Sequence, residues 1–477
     1  MSTQNRLYEQ LSLSLIEQIK QGRYLTGDKL PSVRGMAKQA HVSIATVNSA
    51  YAMLEEQGWV EVRLKSGYYV KRSAAESLNR PTTPEDLSTP RPAASSELVM
   101  EVQHESASIN AVNLCTALPD LTMPICSVVQ KTFTRLSRTS NSLLSGYDSP
   151  IGEASLRQQI ARRAVDAGIF VSPEAVITST GCQNAVAMSL SVLTKPGDVI
   201  AMESTCYYGL IQIVESFGLK AIEIPTHPDT GMSTDALALA LEQWEIKAVL
   251  LVSAFSNPLG CTIPDDKKAE IVSLINKHQT FLIEDDIYGD LAFDGGRGKA
   301  IKSFDSEGRV IYCSSVSKTI HPQLRIGWVM PGQLFDKVLH TKYVNTVSMP
   351  ILPQLVAADI MAQGMYDRHL RYAREKYRQR CAQLRELIGE FFPEGTRLSN
   401  PQGGLSLWVE CARHIDTTAL YHILREQGIR IAPGELFSST GDSNHCFRIT
   451  FASPWTPERI EAVKRVGELL HLQSQQE

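Results

Sequence analysis

This chain of 477 residues has no apolar run approaching the length of a membrane-spanning helix, so no membrane segment is expected. Cysteine is scarce and scattered: nine residues, at 115, 126, 182, 206, 261, 313, 381, 411 and 446, an odd number without any Cys-x-x-Cys or Cys/His spacing. That pattern excludes a disulfide-stapled module and supplies no metal site; reduced, mostly buried thiols in the cytoplasm are expected. A charge excess of one sign is also missing, since the net charge is −4. No internal repeat is visible, and residues 1–21 form an acidic amphipathic pattern rather than a signal peptide. What is present is ordinary globular material, 43% hydrophobic and 21% charged, long enough for more than one domain.

The charge is unevenly spread. Residues 1–72 carry ten Lys or Arg against six Asp or Glu, a net +4 inside an acidic chain. That imbalance points the amino-terminal region toward an anionic partner. Residues 73–106 are rich in Pro, Ser, Thr and Ala, which reads as a flexible linker. From residue 107 to 477, short apolar runs alternate with amphipathic stretches of helix length. The runs Ala175–Ser179, Val199–Glu203, Ala248–Phe255, Thr280–Asp285, Arg309–Ser314 and Ile326–Pro331 predict an α/β domain with a mostly parallel sheet.

In the amino-terminal region, Leu7, Leu11, Leu15 and Ile19 form one helical stripe. Ser32 and Ser43 are placed to cap a second and a third helix, and Val47, Ala50, Tyr51 and Leu54 form the buried face of the third. Two strand-like runs follow, Trp59–Val62 and Gly67–Val70. Three helices and a hairpin predict a small α+β winged helix-turn-helix, whose third helix enters the DNA major groove. Ser32, Arg34, Ser43, Thr46 and Asn48 are the candidate contacts to phosphates or base edges, with Lys65 in the wing. The run Gly27-Asp28-Lys29-Leu30-Pro31-Ser32-Val33-Arg34, Val42-Ser43 with Thr46-Val47, Tyr51 with Leu54 and Gly58-Trp59-Val60, and Ser66-Gly67-Tyr68-Tyr69-Val70 resemble the GntR winged-helix family across residues 5–70. Ile44 stands where many members carry Arg, which leaves the operator sequence open.

Further along, Ser315-Val316-Ser317-Lys318-Thr319 follows a strand, with Arg325-Ile326-Gly327 beyond it. An amine that must attack an aldehyde, beside hydroxyls and a guanidinium that can hold a phosphate, is the arrangement pyridoxal phosphate chemistry needs. Thr180-Gly181-Cys182-Gln183-Asn184 opens a helix whose N–H groups can face a phosphate. Asp285, in Glu284-Asp285-Asp286, can hold a pyridine nitrogen protonated, and Asn257 and Tyr288 can reach a phenolic oxygen. Tyr207 is placed to stack on a planar ring.

Together these motifs resemble the fold-type I pyridoxal-phosphate enzymes, the aspartate aminotransferase-like family, over about residues 110–470. The resemblance implies pyridoxal 5′-phosphate as cofactor and a smaller α+β subdomain over about residues 365–477. It implies Lys318 as the Schiff-base lysine, acting with Asp285 and Tyr207, and Asn257 and Tyr288 on the phenolic oxygen. Gly181, Cys182, Ser315, Ser317 and Arg325 would surround the phosphate. The Gly146-Tyr147 segment matches one whose tyrosine reaches the neighbouring subunit's phosphate, which implies a homodimer. Arg448, in Cys446-Phe447-Arg448-Ile449-Thr450, would grip a substrate carboxylate. Ala117 replaces the usual Gly of the substrate-lining stretch, and Cys182 a more usual Ser, Thr or Ala.

The two halves in one chain resemble the MocR branch of the GntR regulators. That implies a cytoplasmic, pyridoxal phosphate-dependent regulator that binds an operator in double-stranded DNA and senses an amino acid or amine. An active aminotransferase with an accessory DNA-binding domain is the alternative reading.

Overall fold

The computed structural model describes residues 7–20, 23–24, 27–63, 66–71, 78–84, 87–105, 111–139, 146–294, 296–438 and 441–475. The chain divides into two compact units, Met1–Leu78 with Arg385–Glu390, and Asn79–Leu384 with Phe391–Glu477.

In the first unit, α1 (Leu7–Lys20), α2 (Val33–Ala40) and α3 (Ile44–Glu56) precede the hairpin of β1 (Val60–Arg63) and β2 (Gly67–Val70). The strands pair antiparallel, Val60 opposite Val70 and Arg63 opposite Gly67. Both expected caps form: Ser32 Oγ accepts from Gly35 N at 3.1 Å and Ser43 Oγ from Thr46 N at 3.0 Å. Each cap satisfies an N–H that the first helical turn leaves without a partner. Leu15, Leu30, Met36, Val47, Tyr51, Leu54, Val60 and Val70 make the core. The α1 stripe differs from expectation at its start. Leu15 is buried and Leu11 and Ile19 pack partly, but Leu7 is 63% exposed at the helix's first residue, beyond the reach of that small core.

The second unit is built on an eight-stranded sheet. Lys220–Ile224, Val199–Glu203, Ile246–Val252, Phe281–Asp285 and Val310–Ser315 lie side by side and parallel. Gly327–Met330 runs antiparallel between Val310–Ser315 and Ile177–Ser179. The expected strands are therefore present, with ends shifted by one to three residues, while Lys220–Ile224 is an addition to them. Buried Val, Ile, Leu and Ala side chains from the parallel strands and their covering helices form the main core. The parallel strands end at Glu203, Val252, Asp285 and Ser315 along one edge, the edge where open α/β sheets bind ligands. A second, antiparallel sheet orders Arg397–Leu398, Ser406–Glu410, Cys446–Thr450 and Ala432–Pro433.

The expected flexible linker over 73–106 requires correction. Among its described residues, those from Asn79 on group with the body, which therefore begins well before residue 107. Asn79 O accepts from Leu398 N at 2.8 Å. The Thr82 N–H and hydroxyl both donate to the Glu410 carboxylate, at 2.6 and 2.9 Å. Ser88 Oγ accepts from Glu223 N at 2.7 Å. Arg91–Pro92 adds an antiparallel edge strand beside Lys220–Ile224. A helix, Leu98–Glu105, follows, with Leu98, Val99 and Val102 buried. The small polar residues that read as linker are the groups that bond to the body.

Candidate functional site

A cavity of about 360 Å³ opens at the carboxyl edge of the large sheet. Its lining brings together Gly181, Cys182, Tyr207, Asn257, Asp285, Tyr288, Ser315, Ser317, Lys318 and Arg325, residues that are scattered over almost 150 positions of sequence. Lys318 Nζ donates to Ala117 O at 2.8 Å. Burial, reinforced by the charges of Arg448 and Arg325 and opposed by Asp285, lowers its pKa to about 8. The amine is thus far closer to its nucleophilic, neutral form at physiological pH than an ordinary lysine.

Asp285 is buried at the end of its strand. Burial raises its pKa to about 6, against the hydrogen bonds from Cys182 and Ile287. Both of those donors, Cys182 Sγ and Ile287 N, reach Oδ1 at 3.1 Å, and no described residue hydrogen-bonds Oδ2. One carboxylate oxygen is fixed and the other is left for a ligand. Asn257 Nδ2 lies 3.4 Å from the Tyr288 hydroxyl, and Arg448 Nη1 donates to Asn257 Oδ1 at 2.7 Å. Arg448 also donates to Cys115 O and is 1% exposed, in the middle of the small sheet between Trp408 and Ala432. Its Nε is buried without a hydrogen-bond partner. Tyr207 ends its loop just before the Tyr208–Ser216 helix, with its ring 4.5 Å from that of Tyr208.

At the other end of the cavity, Gly181 precedes the Cys182–Leu193 helix with φ +122°. A Cβ there would lie 2.8 Å from Arg325 Nη2, so only glycine lets the guanidinium approach the helix start. Arg325 itself takes a left-handed φ of 53° and donates to Thr180 O. Ser317 N donates to Ser315 Oγ at 3.3 Å.

One side chain is turned away from the phosphate end. The Cys182 side chain points to Asp285 rather than to the phosphate end, because its place in the first helical turn directs the thiol at the buried carboxylate; only its backbone N–H remains for an anion. Tyr147 is 87% exposed and does not line this chain's cavity.

In the first unit, Arg34 and Asn48 are exposed and Thr46 half-buried on the α2 and α3 surfaces. The Ser32 and Ser43 hydroxyls serve as helix caps, and Ser43 Oγ also lies 2.8 Å from Thr46 Oγ1. Ile44 is 51% exposed in the first turn of α3. Lys65 lies outside the described residues. The hairpin adds groups that sequence reading passed over: Arg63 lies over the Tyr69 ring at 4.3 Å, and Ser66 Oγ is 2.6 Å from the Tyr69 hydroxyl.

Comparison with known proteins assigns both units. Residues 7–70 match the family described as bacterial regulatory proteins, gntR family, and residues 110–466 match aminotransferase class I and II. The chain is 38% identical over 465 residues to the uncharacterized HTH-type transcriptional regulator YjiR of Escherichia coli (strain K12), covering 97% of this chain and 98% of that one. The chain belongs to the MocR-type GntR regulators. A second such relative, the uncharacterized HTH-type transcriptional regulator YdcR of the same strain, is 32% identical over 97% of this chain and 98% of its own. Among solved structures, the kynurenine aminotransferase of Pyrococcus horikoshii superimposes with a TM-score of 0.73 at 26% identity, over 80% of this chain and 95% of that one. The multiple substrate aminotransferase of Thermococcus profundus gives 0.73 at 27%, over 80% and 97%.

The cofactor of this MocR-type regulator is pyridoxal 5′-phosphate, and the cavity fits it. The opening over Gly181, the Arg325 guanidinium and the helix N–H groups suit a phosphate dianion. The uncommitted Asp285 Oδ2 suits a pyridinium, and the paired Asn257 and Tyr288 suit a phenolic oxygen. Sequence reading missed Gln103, Leu118, Gln183, Val252, Ile287 and Pro322 in the lining, and Ala117 as the Lys318 partner. Gln183 lies inside the Thr180-Gly181-Cys182-Gln183-Asn184 motif and Ala117 in the substrate-lining stretch, but neither contact was read there; packing between distant segments brings in Gln103 and Pro322. Glu203 was also missed; burial lifts its pKa to about 8, and one of its oxygens is buried without a partner. Its position at a strand's carboxyl end was the available signal.

Proposed function

We propose that this regulator senses an amino acid or amine in the Lys318 cavity and alters its grip on operator DNA in response. The observation that carries the reading is the joining of an intact lysine-bearing cofactor cavity to a winged helix in one chain, with regulator relatives matched over nearly their whole length. When bound, pyridoxal phosphate supplies an aldehyde carbon that either the lysine amine or a ligand amine can hold, so the exchange needs no oxidant. Lys318, whose pKa burial lowers to about 8, would be the amine that holds the aldehyde carbon when no ligand amine does. Asp285 Oδ2 holds a proton on the ring nitrogen, Asn257 and Tyr288 position the phenolic oxygen, and Tyr207 covers the ring. Gly181, Ser315, Ser317, Arg325 and the backbone N–H of Cys182 bind the phosphate. Arg448, already seated by Asn257, takes the ligand carboxylate.

The proposed assembly is a cytoplasmic homodimer in which Tyr147 of one copy completes the other's phosphate site. The exposure of Tyr147 supports this, as nine unpaired cysteines support the compartment. On DNA, Arg34, Thr46, Asn48, Ser32 and Ser43 face phosphates and base edges, with Lys65 in the wing. An amine that favours one arrangement of the dimer must change DNA affinity by the same factor by which DNA changes amine affinity.

The test titrates amino compounds against the cofactor absorbance of the full-length protein while following affinity for its own upstream DNA. Coupled changes without keto-acid production are the expected result. The retained Lys318, Asp285 and Arg448 favour a second reading, an active aminotransferase. Sustained turnover with a 2-oxo acid acceptor, at unchanged DNA affinity, decides for it.

A further inference from the structure

The ring and phosphate account for most of the cavity lining, and Arg448 for a carboxylate. Gln103, Leu118, Gln183, Val252, Ile287 and Pro322 are left over, and of these Gln103, Leu118 and Gln183 are exposed. A ligand's own side chain needs room beyond the ring and carboxylate sites, and these exposed lining residues border such room. Gln103 does not come from the aminotransferase motifs. It is carried on the Leu98–Glu105 helix, in the segment that leads from the winged helix into the body.

That helix is seated specifically. Leu98, Val99 and Val102 are buried beneath it, and Glu101 accepts from Arg425 Nη1 at 2.6 Å. Gln103 Nε2 donates to the Tyr208 hydroxyl at 2.8 Å. Tyr208 in turn lies 4.5 Å from the Tyr207 ring and 6.0 Å from the Arg448 guanidinium. A short chain of contacts thus joins the helix to the groups that hold ring and carboxylate.

We infer that Gln103 is a specificity-determining residue of the ligand cavity, facing the side chain of the bound amino compound and making the Leu98–Glu105 helix one of the cavity's walls. The inference rests on the ligand reading given under Proposed function. A bound ligand then stabilises this helix, and a change at position 103 alters which amino compound is held more than how the cofactor is held.

Two probes separate these effects on the full-length protein freed of cofactor: pyridoxamine 5′-phosphate, and N-(5′-phosphopyridoxyl)-L-glutamine, its non-exchanging conjugate with an amino acid whose side chain can hydrogen-bond an amide. Loss of one hydrogen-bonding wall group predicts that Gln103→Ala weakens the conjugate about two- to tenfold more than it weakens pyridoxamine phosphate. Backbone hydrogen exchange over residues 98–105 slows with the conjugate beyond its value with pyridoxamine phosphate, and less so in Gln103→Ala. Equal protection by both probes, or conjugate affinity moved by Gln103→Ala no more than that of pyridoxamine phosphate, overturns the inference. If neither probe binds, the cavity assignment fails and takes this inference with it. Because no DNA is present, a sensor that fails to regulate is told apart from a helix that fails to touch ligand.

Discussion

Three consecutive acids, Glu284, Asp285 and Asp286, would ordinarily mark a solvated turn. Here all three are buried, and each is spoken for differently. Glu284 accepts from Ser253 Oγ, Ile301 N and Lys302 N, and burial still holds its pKa near 7. Asp286 meets Arg297 and the Tyr312 hydroxyl. Only Asp285 keeps an oxygen for the cavity. Its donor Cys182 is therefore a tuning group: Cys182→Ala should raise the Asp285 pKa above about 6, and Cys182→Ser should restore it. The infrared carbonyl band of the protonated acid, followed against pH in cofactor-free protein, reads this directly. Lys318 gives a second prediction. Its native pKa of about 8 lies below the ordinary 10.5, so between these values the unfolded chain binds more protons and stability rises with pH. Cofactor-free protein should gain thermal stability relative to Lys318→Ala as pH climbs from about 8 to 10, with the buried charge costing most below 8.

At the scale of elements, caps and close approaches decide. Replacing the Ser43 cap by Ala removes the acceptor for Thr46 N and should cost the winged helix about 1 kcal/mol in a denaturant titration. Gly152 takes φ +109°, and a Cβ there would fall 2.1 Å from Thr178 Oγ1, so Gly152→Ala should lower the melting temperature of the body sharply. The same local rules explain what could be read in advance. Ser32 and Ser43 announce their helices because capping needs only neighbours in sequence, and Lys318 is legible because its phosphate-binding company lies within seven positions. Lys220–Ile224 was passed over because Lys220 and Glu223 interrupt its apolar run, although Glu223 is buried. Gln103 could not be read at all: what places it is packing against Tyr208, more than a hundred residues away. The contact of the Cys182 thiol with Asp285 was not read, because sequence gives its position in the turn but not the direction of its side chain.

For the whole molecule, DNA affinity should depend on salt through few charges. Arg34→Ala should weaken binding and reduce the logarithmic salt slope by about 1 if that side chain meets a phosphate; an unchanged slope removes it from the interface. The strand Arg91–Pro92 carries one more consequence. It covers the outer rim of Lys220–Ile224, whose inner side already pairs with Val199–Glu203. A body trimmed to begin at residue 107 would bare that rim, with its backbone donors and acceptors ready to recruit a strand from another molecule. Such a fragment should clump on concentration, whereas one that begins at residue 79 should stay dispersed in light scattering.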